Sequence, residues 1–287
     1  MRKFKELIIE KLILICGVAS IFFVVLIFLF LLKEGLAVFK SVSPFKFLLG
    51  NNWYPISEPP RLGILPLILG SILVTFGAVI ISIPIGVGCA VYIAEIAPLK
   101  TKEILKGGIE LLAAIPSVVL GFIGMVTLVP LVKNLFHLPT GLTALSGSIM
   151  LAFMAMPTIV SIAEDALYSI PKTYKEGSFA LGATHWQTIW RIMLPAASSG
   201  IFAAVMLGIG RVIGETMAVM MVTGNAAVIP KSILAPVRTL TATIAAEMGE
   251  AVVGSEHYFA LFAVGIVLFV ISFAVNVTAD LFLHKRQ

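Results

Sequence analysis

Charged residues divide this chain into long uncharged runs, and the runs dictate its architecture. The first extends from Leu12 to Leu32, 21 residues bounded by Lys11 and Lys33. A helix rises about 1.5 Å per residue and a hydrocarbon core is about 30 Å thick, so about 20 apolar residues cross it. The run exceeds the roughly 7 to 15 residues of a signal-peptide core and no small-residue cleavage site follows it, so it reads as a retained helix. Leu62 to Ala94 contains 33 uncharged residues, too many for one upright span and too few for two with a turn. Pro66 stands near its start and Pro84 is placed to kink it. Leu111 to Val132, with Pro116 near one end and Pro130 near the other, predicts a third span. Leu142 to Ala163 predicts a fourth, and Tyr258 to Ala279 the last.

The fifth is ambiguous. Ala196 to Gly210 and Thr216 to Pro230 are 15 residues each and flank Arg211-Val212-Ile213-Gly214-Glu215. Either one helix crosses at about Ala197 to Val222 with two charges near its middle, or two half-helices meet there. The single crossing gives six spans with both termini on one side. With the N-terminus inside, inner segments hold twelve of the 20 Lys and Arg, outer segments seven, and Arg211 is the remaining one. That excess favours both termini inside.

Composition agrees with the pattern. The chain is 59% hydrophobic and 12% charged, against roughly 45 to 50% and about 25% for soluble domains. The net charge of +5 is scattered over short loops with no aromatic-interleaved stripe, which excludes a nucleic-acid surface. Cys16 and Cys89 form neither a disulfide framework nor a CxxC pair. His137, His185, His257 and His284 form no HExxH; Asp165 and Asp280 form no dyad motif; no GxSxG elbow occurs. Without a Gly-Lys dipeptide there is no phosphate-cradling GxxxxGK[ST] loop, so any use of ATP must come from a partner. No metal site and no enzyme are predicted.

Two connecting segments stand out. Lys33 to Arg61 carries Trp53-Tyr54-Pro55, suited to anchoring at headgroup level or to docking a partner. Gly224 to His257 carries Thr239-Leu240-Thr241-Ala242-Thr243-Ile244-Ala245-Ala246, either a short interfacial helix or a re-entrant piece.

The inner loop from Glu164 to Leu194 has 31 residues, long for a passive connection. Pro171 can start a helix over Lys172 to Leu181, Gly182 breaks it, and Thr184 can cap a second helix through Arg191. Glu176, Gly182, Ile192, Leu194 and Pro195 stand at the spacing Glu-Ala-Ala, three residues, Gly, nine residues, Ile, any residue, Leu-Pro. The loop therefore resembles the cytoplasmic EAA motif in the membrane subunits of bacterial ABC importers. Gly177 and Ser178 replace the two alanines; both are small, so close packing against a groove survives, although Gly177 costs about 1 kcal/mol in helix propensity.

Arg211 and Glu215 are four residues apart, which places them on one face of a continuous helix. Each costs roughly 2.5 to 3.5 kcal/mol near mid-bilayer, so they read either as an anion pathway or as a self-neutralising pair that locks packing. The stretch from Leu207 to Asn225, LGIGRVIGETMAVMMVTGN, resembles the signature of phosphate-importer permeases of the PstC type. Trp53, Pro55, Gly63-Ile64-Leu65-Pro66, Gly70-Ser71, Gly182-Ala183-Thr184 and Trp186-Gln187-Thr188 extend the likeness over most of the chain. Gly208, Gly210 and Gly214 are what a crowded helix crossing uses, and hydroxyls at Ser71, Thr75, Ser82, Thr216 and Thr223 either meet an oxyanion or bond their own helices.

The resemblance implies an all-α polytopic fold of six transmembrane helices with a type I ABC importer permease core. Residues 1–61 would hold the N-terminal tail, first span and outer loop, and 62–283 the five-helix core with its coupling loop at 164–195. A cytoplasmic tail would follow at 284–287. It implies phosphate import across the inner membrane by alternating access, with Arg211, Glu215, Thr216, Ser71 and Thr75 along the substrate path. Glu176, Gly177, Ser178, Gly182, Ile192, Leu194 and Pro195 would form the ATPase-coupling surface. Implied partners are a second permease subunit (PstA type), two ATPase subunits (PstB type) that use ATP and Mg, an extracytoplasmic phosphate-binding protein (PstS type) and the lipid bilayer. This chain itself would bind no cofactor. Molybdate or sulfate import is the alternative. An ATPase-independent transporter or channel leaves the loop unexplained, and a sensory or scaffold subunit would keep the loop and need no anion path.

Overall fold

The computed structural model describes residues 2–284; the predicted tail beyond His284 lies outside the described residues. Helix α1 runs over Arg2–Gly35. Its apolar side chains from Ile9 to Ile27 are mostly exposed, and it touches the rest of the chain near its C-terminal end. There Phe28 meets Phe269 with ring centroids 4.6 Å apart, and Phe30 meets Phe262 at 5.4 Å.

The connection that follows is folded. A 3-10 turn over Leu36–Lys40, α2 at Pro44–Leu49 and a two-residue hairpin of β1 (Trp53–Tyr54) and β2 (Arg61–Leu62) close one end of the bundle. Val38, Phe47, Trp53, Leu62 and Ile64 are buried there with Leu240 and Leu261. This is the Trp53 end of the molecule.

Helix α3 covers Leu65–Val91 and continues as a π turn over Tyr92–Ile96. Pro84 lies inside it without ending it. Next comes α4, Leu99–Ala114, and here the sequence expectation is corrected. The third crossing begins at Ser117, not Leu111, and comprises α5 (Ser117–Ile123), a π turn (Gly124–Leu128) and α6 (Val129–Leu135). Pro116 forces Ile115 into an extended conformation (φ −69°, ψ 127°), which ends α4. Leu111 to Ala114 thus belong to a helix that also carries Lys102, Lys106 and Glu110.

The fourth crossing, α7 at Ala144–Tyr168, is the axis of the fold. Thr143 caps it, accepting from the Ser146 N–H at 3.2 Å. Helices α3 and α7 run parallel: Ser148 donates to the Val74 carbonyl at 3.1 Å, and further along Gly86 lies against Ile159. After α7 the chain forms α8 (Lys172–Ala180), α9 (His185–Thr188), a π turn (Ile189–Met193) and α10 (Leu194–Ala196). It then bends by 70° into α11, Ser198–Gly214.

The fifth crossing is not one helix from Ala197 to Val222. Helix α11 stops at Gly214, Glu215 is extended (φ −70°, ψ 134°), and α12 occupies Met217–Val222. Three glycines in the last seven residues of α11 weaken that end, and the Glu215 carboxylate supplies the acceptor that starts the next helix.

Residues 224–239 fold back over the Trp53 end, where Ala235 and Ile233 carbonyls accept the Ala144 and Leu145 N–H groups at 2.9 and 2.8 Å. Helix α13, Leu240–Glu247, is a short helix whose first residues are buried, and α14, Glu256–His284, is the last crossing. Among the described residues five helical segments are long and apolar enough to span a membrane, or six if α11 and the segment bent by 70° into it count as one span.

Candidate functional site

Helix α11 crosses α7 antiparallel, with Gly200 against Ala166 at one end and Gly208 against Ile159 nearer the other. A Cβ at Gly208 would sit 2.6 Å from Ile159 Cγ1, so the bare backbone is what permits this crossing. Gly210 and Gly214 do not share the role: nothing lies within 4 Å of a Cβ built at either. They belong with Leu207 and Arg211 to an exposed face.

Arg211 is thereby carried to the level of the middle of α7. Its guanidinium Nη1 donates to Thr158 Oγ1 at 3.2 Å. The break after Gly214 removes Glu215 from the helical face that the four-residue spacing predicted. Glu215 Oε1 instead accepts from the Ala218 N–H at 3.3 Å, and its carbonyl accepts from Thr241 Oγ1 at 2.9 Å. No ion pair joins Arg211 and Glu215, so the self-neutralising pair is not present in this chain.

The other predicted path residues lie elsewhere. Thr216 donates to the Gly214 carbonyl at 3.2 Å, beside Glu215. Ser71 Oγ accepts the Leu240 N–H at 2.9 Å and fixes the start of α13 to α3. Ser71 and Thr75 line an apolar crevice of about 250 Å³ with Ile209 and Ile213. Ile209 and Ile213 are each two residues from Arg211, hence about 200° around α11. Ser71 and Thr75 are therefore not brought together with Arg211.

The predicted coupling residues do come together. Helices α8 and α9 form a hairpin whose turn is Gly182 at φ +83°, a conformation that favours glycine. Thr184 caps α9 through a capping box with Gln187. Ser178 Oγ and Thr188 Oγ1, 2.8 Å apart, pin the two arms together in a buried contact. Glu176 and Gly177 are exposed, with open space beside Gly177. Leu181 at the tip of this knob is 91% exposed, while the exposed Trp186 and Trp190 line an apolar groove with Pro84 of α3 and Ile201 of α11. Ile192 and Leu194 are half-buried at the base of the knob, and Pro195 is exposed just before the 70° bend into α11.

Three charged constellations were not predicted. Lys175, beside Glu176, reaches Glu95 at 2.5 Å and ties the hairpin to the end of α3. Glu164, 2% exposed on α7, is held by Lys102 at 2.8 Å and Lys106 at 2.7 Å from α4. The adjacent Glu164 carboxylate raises the Lys106 pKa above its ordinary value despite partial desolvation. At the Trp53 end, Glu247 accepts from Trp53 Nε1 at 3.0 Å, pairs with Arg238 and lies 2.9 Å from His257 Nε2. Each acid stands at or beyond the edge of an uncharged run, a signal that marks a charge but not its partner. Among the described residues no cluster of His, Cys, Asp and Glu can hold a metal ion.

Residues 82–286 match the model of the binding-protein-dependent transport system inner membrane component family. The chain belongs to that family. It is 44% identical over 260 residues to the probable ABC transporter permease protein YqgH of Bacillus subtilis (strain 168), covering 90% of this chain and 84% of the relative. It is 36% identical over 264 residues to the phosphate transport system permease protein PstC of Mesorhizobium japonicum, covering 85% and 80%. Among solved structures the fold is similar to a bacterial alginate ABC transporter at TM-score 0.65 and 16% identity, covering 94% of this chain and 93% of that one. It is also similar to the MetNI methionine ABC transporter at TM-score 0.63 and 18% identity, covering 81% and 100%. The family member described here is thus a multi-pass membrane permease subunit with the type I importer fold.

Proposed function

We propose that this chain translocates inorganic phosphate across the inner membrane as the permease subunit of an ABC importer. The observation that carries the reading is an arginine level with the middle of α7, with no carboxylate paired to it among the described residues. A cation in that position attracts an anion and is otherwise costly. The PstC-named relatives and the Leu207 to Asn225 stretch support phosphate over sulfate or molybdate.

In this reading the hairpin faces the cytoplasm, both termini with it, and the Trp53 end faces outward. A second permease subunit of the PstA type completes the path, two PstB-type ATPases bear on the knob around Leu181, and a PstS-type protein delivers phosphate at the Trp53 end. ATP and Mg belong to the ATPases. Closure of the ATPase pair moves α8 and α9, the bend at Ala197 passes the motion to α11, and Arg211 lies about 20 Å along that helix. The path then alternates between outward and inward access.

Copurification followed by ATP-dependent uptake into vesicles tests the reading. Uptake of phosphate, with sulfate and molybdate as poor competitors, is expected; uptake by the lone chain without ATP would reject it. Orientation is tested separately with Lys175→Cys and Asn52→Cys in intact cells. An impermeant thiol reagent should modify only the second, and labelling of the first would reverse the topology.

A further inference from the structure

The hydroxyl of Thr158 differs from its neighbours on the spanning helices. Thr127 donates to the Ile123 carbonyl at 2.7 Å, Thr223 to Val219 at 2.9 Å and Thr278 to Val275 at 2.8 Å, each closing onto its own helix. Thr158 instead accepts the Arg211 guanidinium, and its own proton has no acceptor among the described residues. Among the described residues the hydroxyls of Thr75, Ser82, Ser161 and Ser272 also make no hydrogen bond, but none of them meets Arg211, and Thr75 lines the apolar crevice beside Ile209 and Ile213.

A hydroxyl that accepts from a guanidinium keeps one O–H to donate, and the accepted bond polarises it toward stronger donation. Arg211 uses one of its five N–H donors on Thr158, which leaves four for a further acceptor. We infer that Thr158 and Arg211 together form one oxyanion subsite, Thr158 donating its hydroxyl proton to an oxygen of the anion while Arg211 supplies charge and further N–H donors. The ligand class is a tetrahedral oxyanion.

Three features of the fold support a built site. The Gly208–Ile159 approach lies one turn before Arg211 and fixes α11 against α7, so the two donors do not drift apart. The space beside Gly210 and Gly214 is open, giving an anion room to reach the guanidinium. Glu215, the nearest acid in sequence, is turned onto the Ala218 N–H and does not compete for Arg211. The proposal rests on the transport reading for its direction of use and on phosphate for its preferred anion; the donor pair itself suits any tetrahedral oxyanion.

The test is equilibrium binding of radiolabelled inorganic phosphate, sulfate and molybdate to the purified permease complex without its extracytoplasmic protein, alongside ATP-driven uptake. Thr158→Val keeps the shape and removes the donor; Thr158→Ser keeps the donor. Valine is expected to weaken binding about tenfold or more, the loss of one hydrogen bond to a charged group, and to slow uptake, while serine binds like the wild type. Recovery of assembled complex in equal yield separates this from misfolding. If the wild type binds sulfate or molybdate instead, and valine weakens that, the phosphate reading fails and the subsite stands. Equal binding by valine and wild type, or no binding of any of the three anions by the wild type, overturns the subsite.

Discussion

Two charges on neighbouring helices meet opposite fates. Glu164 stands near one end of α7, 2% exposed, and two lysines of α4 converge on its oxygens. Arg211 stands about 20 Å along α11, level with the middle of α7, and its recorded partner is a neutral hydroxyl. Burying an ion is tolerated when opposite charge and hydrogen bonds compensate it. Glu164 has that opposite charge within the chain, from Lys102 and Lys106, so it reads as an ionic tie between α4 and α7. Arg211 is instead exposed on α11 and, among the described residues, has no carboxylate paired to it, which in the transport reading leaves it to an anion or to a second subunit.

The strongest test of the contrast is Arg211→Met, expected to abolish phosphate uptake with the complex still assembled, while Arg211→Lys retains a part because a cation remains but the planar fork is lost. Glu215→Gln keeps an oxygen to accept the Ala218 N–H and is expected to lose less than tenfold. Equal loss in Glu215→Gln and Arg211→Met would mean that the two act as a pair after all. Arg211→Met with Glu215→Gln together should assemble and fail to transport; vigorous uptake by that double variant would reduce Arg211 to packing.

The next effect in size concerns the hairpin, which touches neither charge. Gly182→Val places a β-branched residue at φ +83°, a strain of about 1 to 3 kcal/mol at the turn. Glu176→Arg reverses an exposed charge. Each should leave insertion intact while ATP hydrolysis by the complex loses its link to uptake, and a normal ratio of phosphate moved to ATP hydrolysed would remove the coupling role from this loop.

Smaller still is Glu164→Gln. It leaves Lys102 without its anion and Lys106 with Asp165 at 3.9 Å, but both are partly exposed and regain water, so a loss of about 1 to 3 kcal/mol is expected, seen as a lower melting temperature with uptake preserved. Abolished uptake at unchanged stability would instead place Glu164 beside Arg211 in function. Smallest is Ser71→Ala, which removes one acceptor from the Leu240 N–H and should cost about 1 kcal/mol without changing the anion taken.

The crossings were legible because a span is a matter of length and apolarity, both printed along the chain. Their ends were less so. Leu111 to Ala114 are as apolar as the span that follows, and only Pro116 assigns them to α4. The break at Glu215 was foreseen as one of two alternatives, since hydropathy is blind to a backbone torsion. The hairpin was legible in detail because Pro171, Gly182 and Thr184 act locally. Pairings were not: Glu95 and Lys175 are 80 residues apart, and Thr158 meets Arg211 across 53. Nothing in a one-dimensional pattern records which faces of α7 and α11 meet.

The parallel union of α3 with α7 carries a consequence for biogenesis. Val74 must wait for Ser148, 74 residues downstream, before that contact can close. At synthesis rates of about 5 to 20 residues per second, the wait is roughly 4 to 15 s. For that interval the face of α3 destined for α7, with Val74, Ser82 and Gly86 along it, is bordered by lipid or by whatever assists insertion. The helices between must cross the bilayer and leave that face clear, so a substitution that makes α3 adhere to α5 or α6 would trap the nascent chain even if the finished protein tolerated it.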